Sequence, residues 1–226
     1  MVIKKMSYIF VIALLILVVT ACTDYSDATN VKTTEGTTEG TTELTTEVTT
    51  EEETEEPLVD LFISEYYEGT MRDDRYIEIY NNTGETVDLS TYAIEVYFDG
   101  SYVVDDFSTT TLEGTLEDGN TLVIFNKRAI TSENLDTGKL VATSGINFTG
   151  TEVVGLLNDG TLIDVIGVKG HNVSIGFSIG GVENGSLNNT VIRNSSVTNP
   201  SDLFDPSEWT VLGADDISDI GVHTID

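Results

Sequence analysis

The chain has 226 residues, of which 39 are acidic and 10 are basic, so its formal net charge is −29. A charge of this size and sign repels polyanions and disfavours direct binding to nucleic acid. A single cysteine excludes a disulfide framework and a cysteine-based zinc site, and two histidines are too few for a histidine-rich metal centre, so we expect no metal or other cofactor.

Residues 1–21 have the pattern of a lipoprotein signal peptide. Two lysines precede twelve uncharged residues at positions 8–19, a run too short to span a bilayer comfortably. The Val-Thr-Ala-Cys sequence that ends at Cys22 resembles a bacterial lipobox, which implies cleavage before Cys22 and lipidation of that cysteine. Two acyl chains on one residue suffice for stable anchoring. We therefore expect a lipid anchor on the extracytoplasmic face of the cell membrane; an ordinary signal peptide with a chance cysteine is the alternative.

Residues 22–57 are expected to form a disordered tether behind the lipidated cysteine. The motif Thr-Thr-Glu-X repeats from Thr33, and residues 23–57 contain 11 acidic residues against one lysine. Few apolar side chains and dense like charge cannot offset the chain entropy. Fully extended, the tether would reach about 115 Å at about 3.3 Å per residue. The alternative is an acidic brush that binds cations.

Residues 58–226, with a net charge of −21, have the pattern of a single all-β domain. Nine short strand-like runs are separated by turn residues; they lie at 61–67, 76–81, 92–98, 102–105, 121–125, 153–157, 162–168, 190–193 and 209–212. Asn158-Asp159-Gly160 predicts a tight hairpin, because Asp and Gly tolerate positive φ. One helical turn is expected near residues 130–135. Nine strands without alternating helices predict a sandwich or barrel rather than a parallel sheet.

Several segments of this domain resemble, in order, a bacterial lamin tail domain. They are residues 62–66 (Phe-Ile-Ser-Glu-Tyr), 76–81 (Tyr-Ile-Glu-Ile-Tyr-Asn), 87–92, 147–150, 160–167, 189–193, 204–209 and 220–224. The resemblance implies an immunoglobulin-like β-sandwich. The resemblance also implies two settings for such a domain in bacteria: it is an accessory module of a secreted nuclease or other hydrolase, or it stands alone on the cell surface. Phe177 occupies a position where the family pattern has a tryptophan, and we expect no catalytic partner domain in this chain.

Glu65 and Glu78 lie on adjacent predicted strands and form the candidate acid–base pair. Period-two alternation places Glu78 on the face opposite its neighbouring isoleucines, so we expect a solvated sheet face or an ion pair with Arg72, Arg75 or Arg193. Arg193 is flanked by apolar residues and is expected to hold Glu65 or Glu78 in a structural bidentate pair. Ligand binding by Arg193 is the alternative, and we expect no catalytic residue.

Other side chains leave alternatives open. Calcium ligands could come from loop carboxylates, namely Asp99, Asp105, Asp106, Asp118, Asp159, Asp215, Asp216 and Asp219, although no EF-hand loop is present and turn formation explains most of them. Trp209 and five tyrosines (66, 76, 80, 92 and 97) could form an aromatic platform or belong to the core. His171 and His223 are expected to be surface or turn residues. The chain has no Gly-x-Ser-x-Gly nucleophile elbow, so we expect neither histidine to serve in serine catalysis.

The sequence therefore predicts a surface lipoprotein that is not an enzyme. Its lamin-tail-like domain is expected to serve adhesion or to dock another surface protein or an envelope polymer. One alternative is a calcium-dependent secreted hydrolase or an accessory module of a nuclease. The other is a purely structural spacer of the envelope.

Overall fold

Twelve strands make up most of the regular structure in residues 58–130 and 140–226, which the computed structural model describes. They are β1 (Phe62–Glu68), β2 (Arg75–Tyr80), β3 (Val87–Asp88), β4 (Tyr92–Tyr97), β5 (Thr109–Thr111), β6 (Thr115–Leu116), β7 (Thr121–Asn126), β8 (Leu140–Thr143), β9 (Val153–Asn158), β10 (Thr161–Ile166), β11 (Thr190–Arg193) and β12 (Trp209–Gly213). Short 3₁₀ turns lie at Leu89–Thr91, Phe98–Gly100 and Pro206–Glu208. The predicted signal peptide, lipidated Cys22, tether and most of the helical turn fall outside the described residues.

The strands form two main sheets packed as an immunoglobulin-like β-sandwich, which confirms the predicted fold class. One sheet has six strands in the order β12-β11-β1-β2-β7-β8, and the other has four in the order β10-β9-β4-β5. A small ladder pairs β3 with β6. Every named pairing is antiparallel except that of β7 with β8.

The core lies between the two main sheets and follows the period-two alternation of the strands. Ile77 and Ile79 of β2 face Ile94 and Val96 of β4 across this core, and all four are fully buried. Each such aliphatic side chain contributes about 1.5–3 kcal/mol on removal from water. The predicted inward face of β2 is therefore confirmed.

A β-bulge at Ser64 changes which side chains of β1 point inward. The register against β2 shifts between Ile63 and Glu65, so that Ile63 and Tyr66 both reach the core although they are three positions apart. The extra residue sends Glu65 to the opposite face of the sheet, beside Glu78. The bulge thus creates the arrangement of the candidate site.

The predicted hairpin at Asp159 and Gly160 is confirmed, with φ values of 49° and 75°. The predicted strand at 102–105 is wrong, because a 3₁₀ turn ends β4 and the chain re-enters the sheet only at Thr109. Asp105 closes this loop by accepting hydrogen bonds from the backbone N–H groups of Phe107 and Ser108. The short strands β3, β5, β6 and β8 were not predicted.

Residues 214–226, called here the C-terminal segment, cover the outer face of the six-stranded sheet. Ile217 and Ile220 pack against a buried cluster of Tyr67, Tyr76 and Val123. The outer face of this sheet therefore carries a second, smaller hydrophobic core. No helix in the described parts of the chain has the length and apolar character that a membrane span requires.

Candidate functional site

Glu65 and Glu78 stand directly opposite each other on β1 and β2, under the C-terminal segment. Their exposed fractions are 1% and 0%. Two ionised carboxylates in such a position would repel each other and would both lack water. The predicted solvated face for Glu78 is therefore wrong, because the sequence pattern could not show that the C-terminal segment covers it.

Hydrogen bonds fix three of the four carboxyl oxygens. The Tyr76 hydroxyl donates to Glu65 Oε1. Ser64 Oγ donates to Glu78 Oε1 at 2.7 Å, and the backbone N–H of Gly221 donates to Glu78 Oε2 at 2.6 Å. Glu65 Oε2 is buried without a hydrogen-bond partner. The contact with Gly221 ties the C-terminal segment directly to the pair.

Burial controls the protonation of this pair. Burial, reinforced by the charge of Glu78, raises the pKa of Glu65 to about 9. Burial also raises the pKa of Glu78 to about 7, against the hydrogen bonds from Ser64 and Gly221 that lower it. At neutral pH the pair therefore holds a neutral Glu65 next to a partly ionised Glu78.

The buried pair can hold a proton at neutral pH, because burial raises the pKa of both glutamates. Two clefts lie between the C-terminal segment and neighbouring parts of the domain, with volumes of about 420 and 340 Å³. His223 lines both clefts, whereas neither glutamate lines either of them. A substrate in these clefts would meet the C-terminal segment and not the carboxyl groups.

Arg193 is a buried ion-pair residue, as predicted, but its predicted partners were wrong. Its guanidinium binds Asp164 at 3.2 Å and Glu208 at 2.9 Å, and does not pair with Glu65 or Glu78. The side chain is 2% exposed, and its Cζ atom lies 4.7 Å from the centre of the Trp209 ring. Asp164 interrupts the apolar run of β10 just as Arg193 interrupts that of β11, and this shared pattern is the signal that could have identified the pair.

The aromatic platform considered above is not present, because its members are buried. Trp209 and the tyrosines at positions 66, 76, 80, 92 and 97 are at most 8% exposed. His171 is exposed as expected, whereas His223 is partly buried and contacts the rings of Phe62 and Tyr80. Burial lowers the pKa of His223 to about 4.

Some of the loop carboxylates act in local turns, and others join separate loops. Asp105 and Asp216 accept hydrogen bonds from serines three and two positions further along the chain, whereas Asp118 accepts from the backbone of Gly84, 34 positions away. Within the described ranges, no group of three or more acidic, histidine or cysteine side chains is placed to hold a metal ion. The turn explanation therefore fits Asp105 and Asp216 but not Asp118.

Exposed apolar side chains at one end of the sandwich were missed by sequence reasoning. Tyr102, Val103 and Phe107, in the loop between β4 and β5, are 73%, 76% and 87% exposed. Scattered exposed hydrophobic residues are ordinary, whereas these three lie together in one short loop and form an apolar surface. The strand-like pattern of residues 102–105 hid Tyr102 and Val103, because an apolar run without a pairing partner has the same local pattern as a paired strand.

Comparison with protein families gives one match. The model described as Lamin Tail Domain matches residues 54–170, slightly more than half of the chain. The match includes β1–β10, while β11, β12 and the C-terminal segment follow it. A search of curated proteins returned no match. The family resemblance of the segments after residue 170 remains a prediction.

Proposed function

Because the chain belongs to the lamin tail domain family, we propose that it is a lipid-anchored surface lipoprotein whose domain binds a surface protein or an envelope polymer and catalyses no reaction. The family is an immunoglobulin-like one that is generally non-catalytic. The proposal for this chain adds the anchor, the tether and the binding role.

The exposed apolar loop is the main observation that supports binding. Folding buries Tyr76, Tyr92 and Tyr97 but leaves Tyr102 and Phe107 in water. Exposed aromatic side chains are enriched at interfaces, where a partner recovers the hydrophobic free energy that folding leaves unused.

The state of the carboxyl pair supports a non-catalytic role. A general acid or base must come within hydrogen-bond reach of the group that it protonates or deprotonates. Glu65 and Glu78 are shielded by the C-terminal segment, and Tyr76, Ser64 and Gly221 occupy three of their four carboxyl oxygens. This arrangement keeps the carboxyl groups out of reach of a substrate, which supports the non-catalytic proposal.

The anchor is supported by the signal-peptide pattern and by Cys22, the one cysteine of the chain. Wild-type protein should partition into the detergent phase, and mass spectrometry of its first residue should detect a diacylglyceryl group. Cys22→Ser should lack the diacylglyceryl group and retain residues 1–21, because the substitution removes the cysteine of the lipobox. A wild-type first residue without the diacylglyceryl group would contradict the anchor.

Binding is tested by crosslinking on intact cells with the full chain as bait. One dominant surface protein or polymer, absent from a Cys22-lipidated control protein that lacks residues 58–226, supports the proposal. Catalysis is tested separately with DNA, a phosphodiester and glycans, each with and without calcium. Turnover that Glu65→Ala abolishes would overturn the non-catalytic role.

A further inference from the structure

Three neighbouring loops form an apolar surface at one end of the sandwich, namely the loops from β4 to β5 (98–108), from β10 to β11 (167–189) and from β11 to β12 (194–208). β4 and β10 end here and β9 begins here, since Tyr97 pairs with Val153 and Ile166 with Val154. The surface consists of the side chains that these loops leave exposed, which are Tyr102, Val103, Phe107, Val168 and Leu203. We call this set the loop-end surface.

Direct contacts join the three loops. The ring of Tyr102 lies so close to Gly170 that a Cβ at that glycine would fall 2.5 Å from its Cζ. Asn172 Nδ2 donates to the carbonyl of Asp99 at 3.3 Å. In the third loop, the ring of Phe204, next to Leu203, lies 6.3 Å from that of Phe177. The exposed side chains therefore belong to one continuous end of the domain.

Hydrogen bonds within the first loop hold its apolar side chains outward. Ser101 Oγ donates to the carbonyl of Val103 at 2.7 Å and accepts from its N–H at 3.0 Å. Asp105 accepts from Phe107 and Ser108. These hydrogen bonds thus stabilise a turn that overrides the local preference of residues 102–105 for a strand. Such conflicts between local preference and fold concentrate at functional positions.

The charge around the loop-end surface is negative. Five exposed aspartates border it, namely Asp99, Asp105, Asp106, Asp202 and Asp205. The nearby Lys169 places its ammonium group 3.8 Å from the centre of the Tyr97 ring. An anionic membrane or a nucleic acid would be repelled. A positively charged partner with apolar side chains complements both the rim and the centre.

We propose that the loop-end surface binds a basic segment of another protein, with its lysine or arginine side chains on the aspartate rim and its aromatic or aliphatic side chains against Tyr102 and Phe107. This inference deepens the proposed binding function and rests on it. It specifies which surface of the domain binds and which chemistry the partner presents.

The test is selection of random peptides about twelve residues long, displayed on phage, on the immobilised full chain. We expect the selected peptides to be rich in Lys or Arg together with aromatic or aliphatic residues. Their affinity should fall about tenfold for Phe107→Ser and for Tyr102→Ser, as is usual for interface anchors. Asp106→Asn should weaken binding by a smaller factor.

Two matched controls separate this surface from the general acidity of the domain. Met71→Ser removes an exposed apolar side chain from the loop between β1 and β2, and Glu113→Gln removes an exposed charge between β5 and β6. Both should bind the peptides as wild type does. The tested residues are exposed, so each variant is expected to unfold at the wild-type temperature.

Basic peptides that bind Phe107→Ser and Tyr102→Ser as well as wild type would overturn the inference, since only diffuse charge would then be recognised. Selected peptides without basic residues would also overturn it. In either case the crosslinking test of the binding function could still succeed, and the domain would bind through another surface. Failure of crosslinking to yield any partner would instead remove the proposed function.

Discussion

Replacing Glu65 with glutamine should remove most of the pH dependence of stability above pH 6.5. Glu65 is 1% exposed, and burial raises its pKa from 4.5 to about 9. Because the pKa is higher in the folded state, folding retains a proton that the unfolded chain releases. The contribution of Glu65 to the free energy of unfolding is therefore fully present below pH 4.5 and is lost as the pH rises towards 9.

The size of this effect follows from one retained proton. Each pH unit in the window costs about 1.36 kcal/mol, so the free energy of unfolding should fall by about 2.5 kcal/mol between pH 6.5 and 8.5. Glu78, with its pKa raised to about 7, adds to the fall at the lower end of this range. His223 acts in the opposite sense, because its pKa is lowered to about 4 and its contribution is lost as the pH falls below 6.5.

The assay is urea unfolding at a series of pH values, followed by the fluorescence of Trp209, the one tryptophan of the chain. Trp209 is 2% exposed, so unfolding should change its emission. Glu65→Gln retains an acceptor for Tyr76 but cannot ionise. The variant should match wild type near pH 5 and exceed its stability at pH 8.5, whereas Glu113→Gln should follow the wild-type profile.

A wild-type free energy of unfolding that stays level or increases from pH 6.5 to 8.5 would refute the role of Glu65. Equal slopes for Glu65→Gln and wild type would refute it as well, because another group would then be responsible for the pH dependence.

Three further predictions concern packing, and urea unfolding tests the first two. Asp164→Asn removes the negative charge that Arg193 pairs with in the interior, so the free energy of unfolding should fall by about 3–5 kcal/mol. Glu208→Gln changes a partly exposed partner of the same arginine and should lower it by about 1 kcal/mol or less. Gly180→Ala should cost at least about 1 kcal/mol more than Gly84→Ala, because both glycines have positive φ but only at Gly180 would a Cβ meet a backbone oxygen, at 2.7 Å. Removal of residues 214–226 should expose the outer sheet face and increase the binding of a hydrophobic dye; unchanged dye binding would contradict the covering role.

The longer strands could be predicted because their side chains alternate against a core. The Ile-Glu-Ile pattern of β2 gave both the element and its inward face. β3, β5 and β6 have two or three residues each, and what defines them is a pairing partner rather than a local pattern. The run at 102–105 shows the reverse case, in which a local pattern without a partner gives a loop.

The candidate site could be predicted only in part, for a related reason. Alternation placed Glu65 and Glu78 on one face, but what covers that face depends on Ile217 and Ile220, which are distant in the chain. Arg193 was recognisable as a buried charge from its apolar neighbours. Its choice of Asp164 depended on how β10 packs against β1, which no local pattern contains.

The central position of β1 in the six-stranded sheet has a consequence for how the domain folds. β2 follows β1 almost at once, whereas Ile192 of β11, which pairs with Glu65, lies 127 positions further along the chain. Contacts of such long sequence separation make folding slow, and Glu65 is ionised in the unfolded chain above pH 4.5. Because Glu65 must take up a proton when it is buried, we expect refolding to become slower as the surroundings become more alkaline.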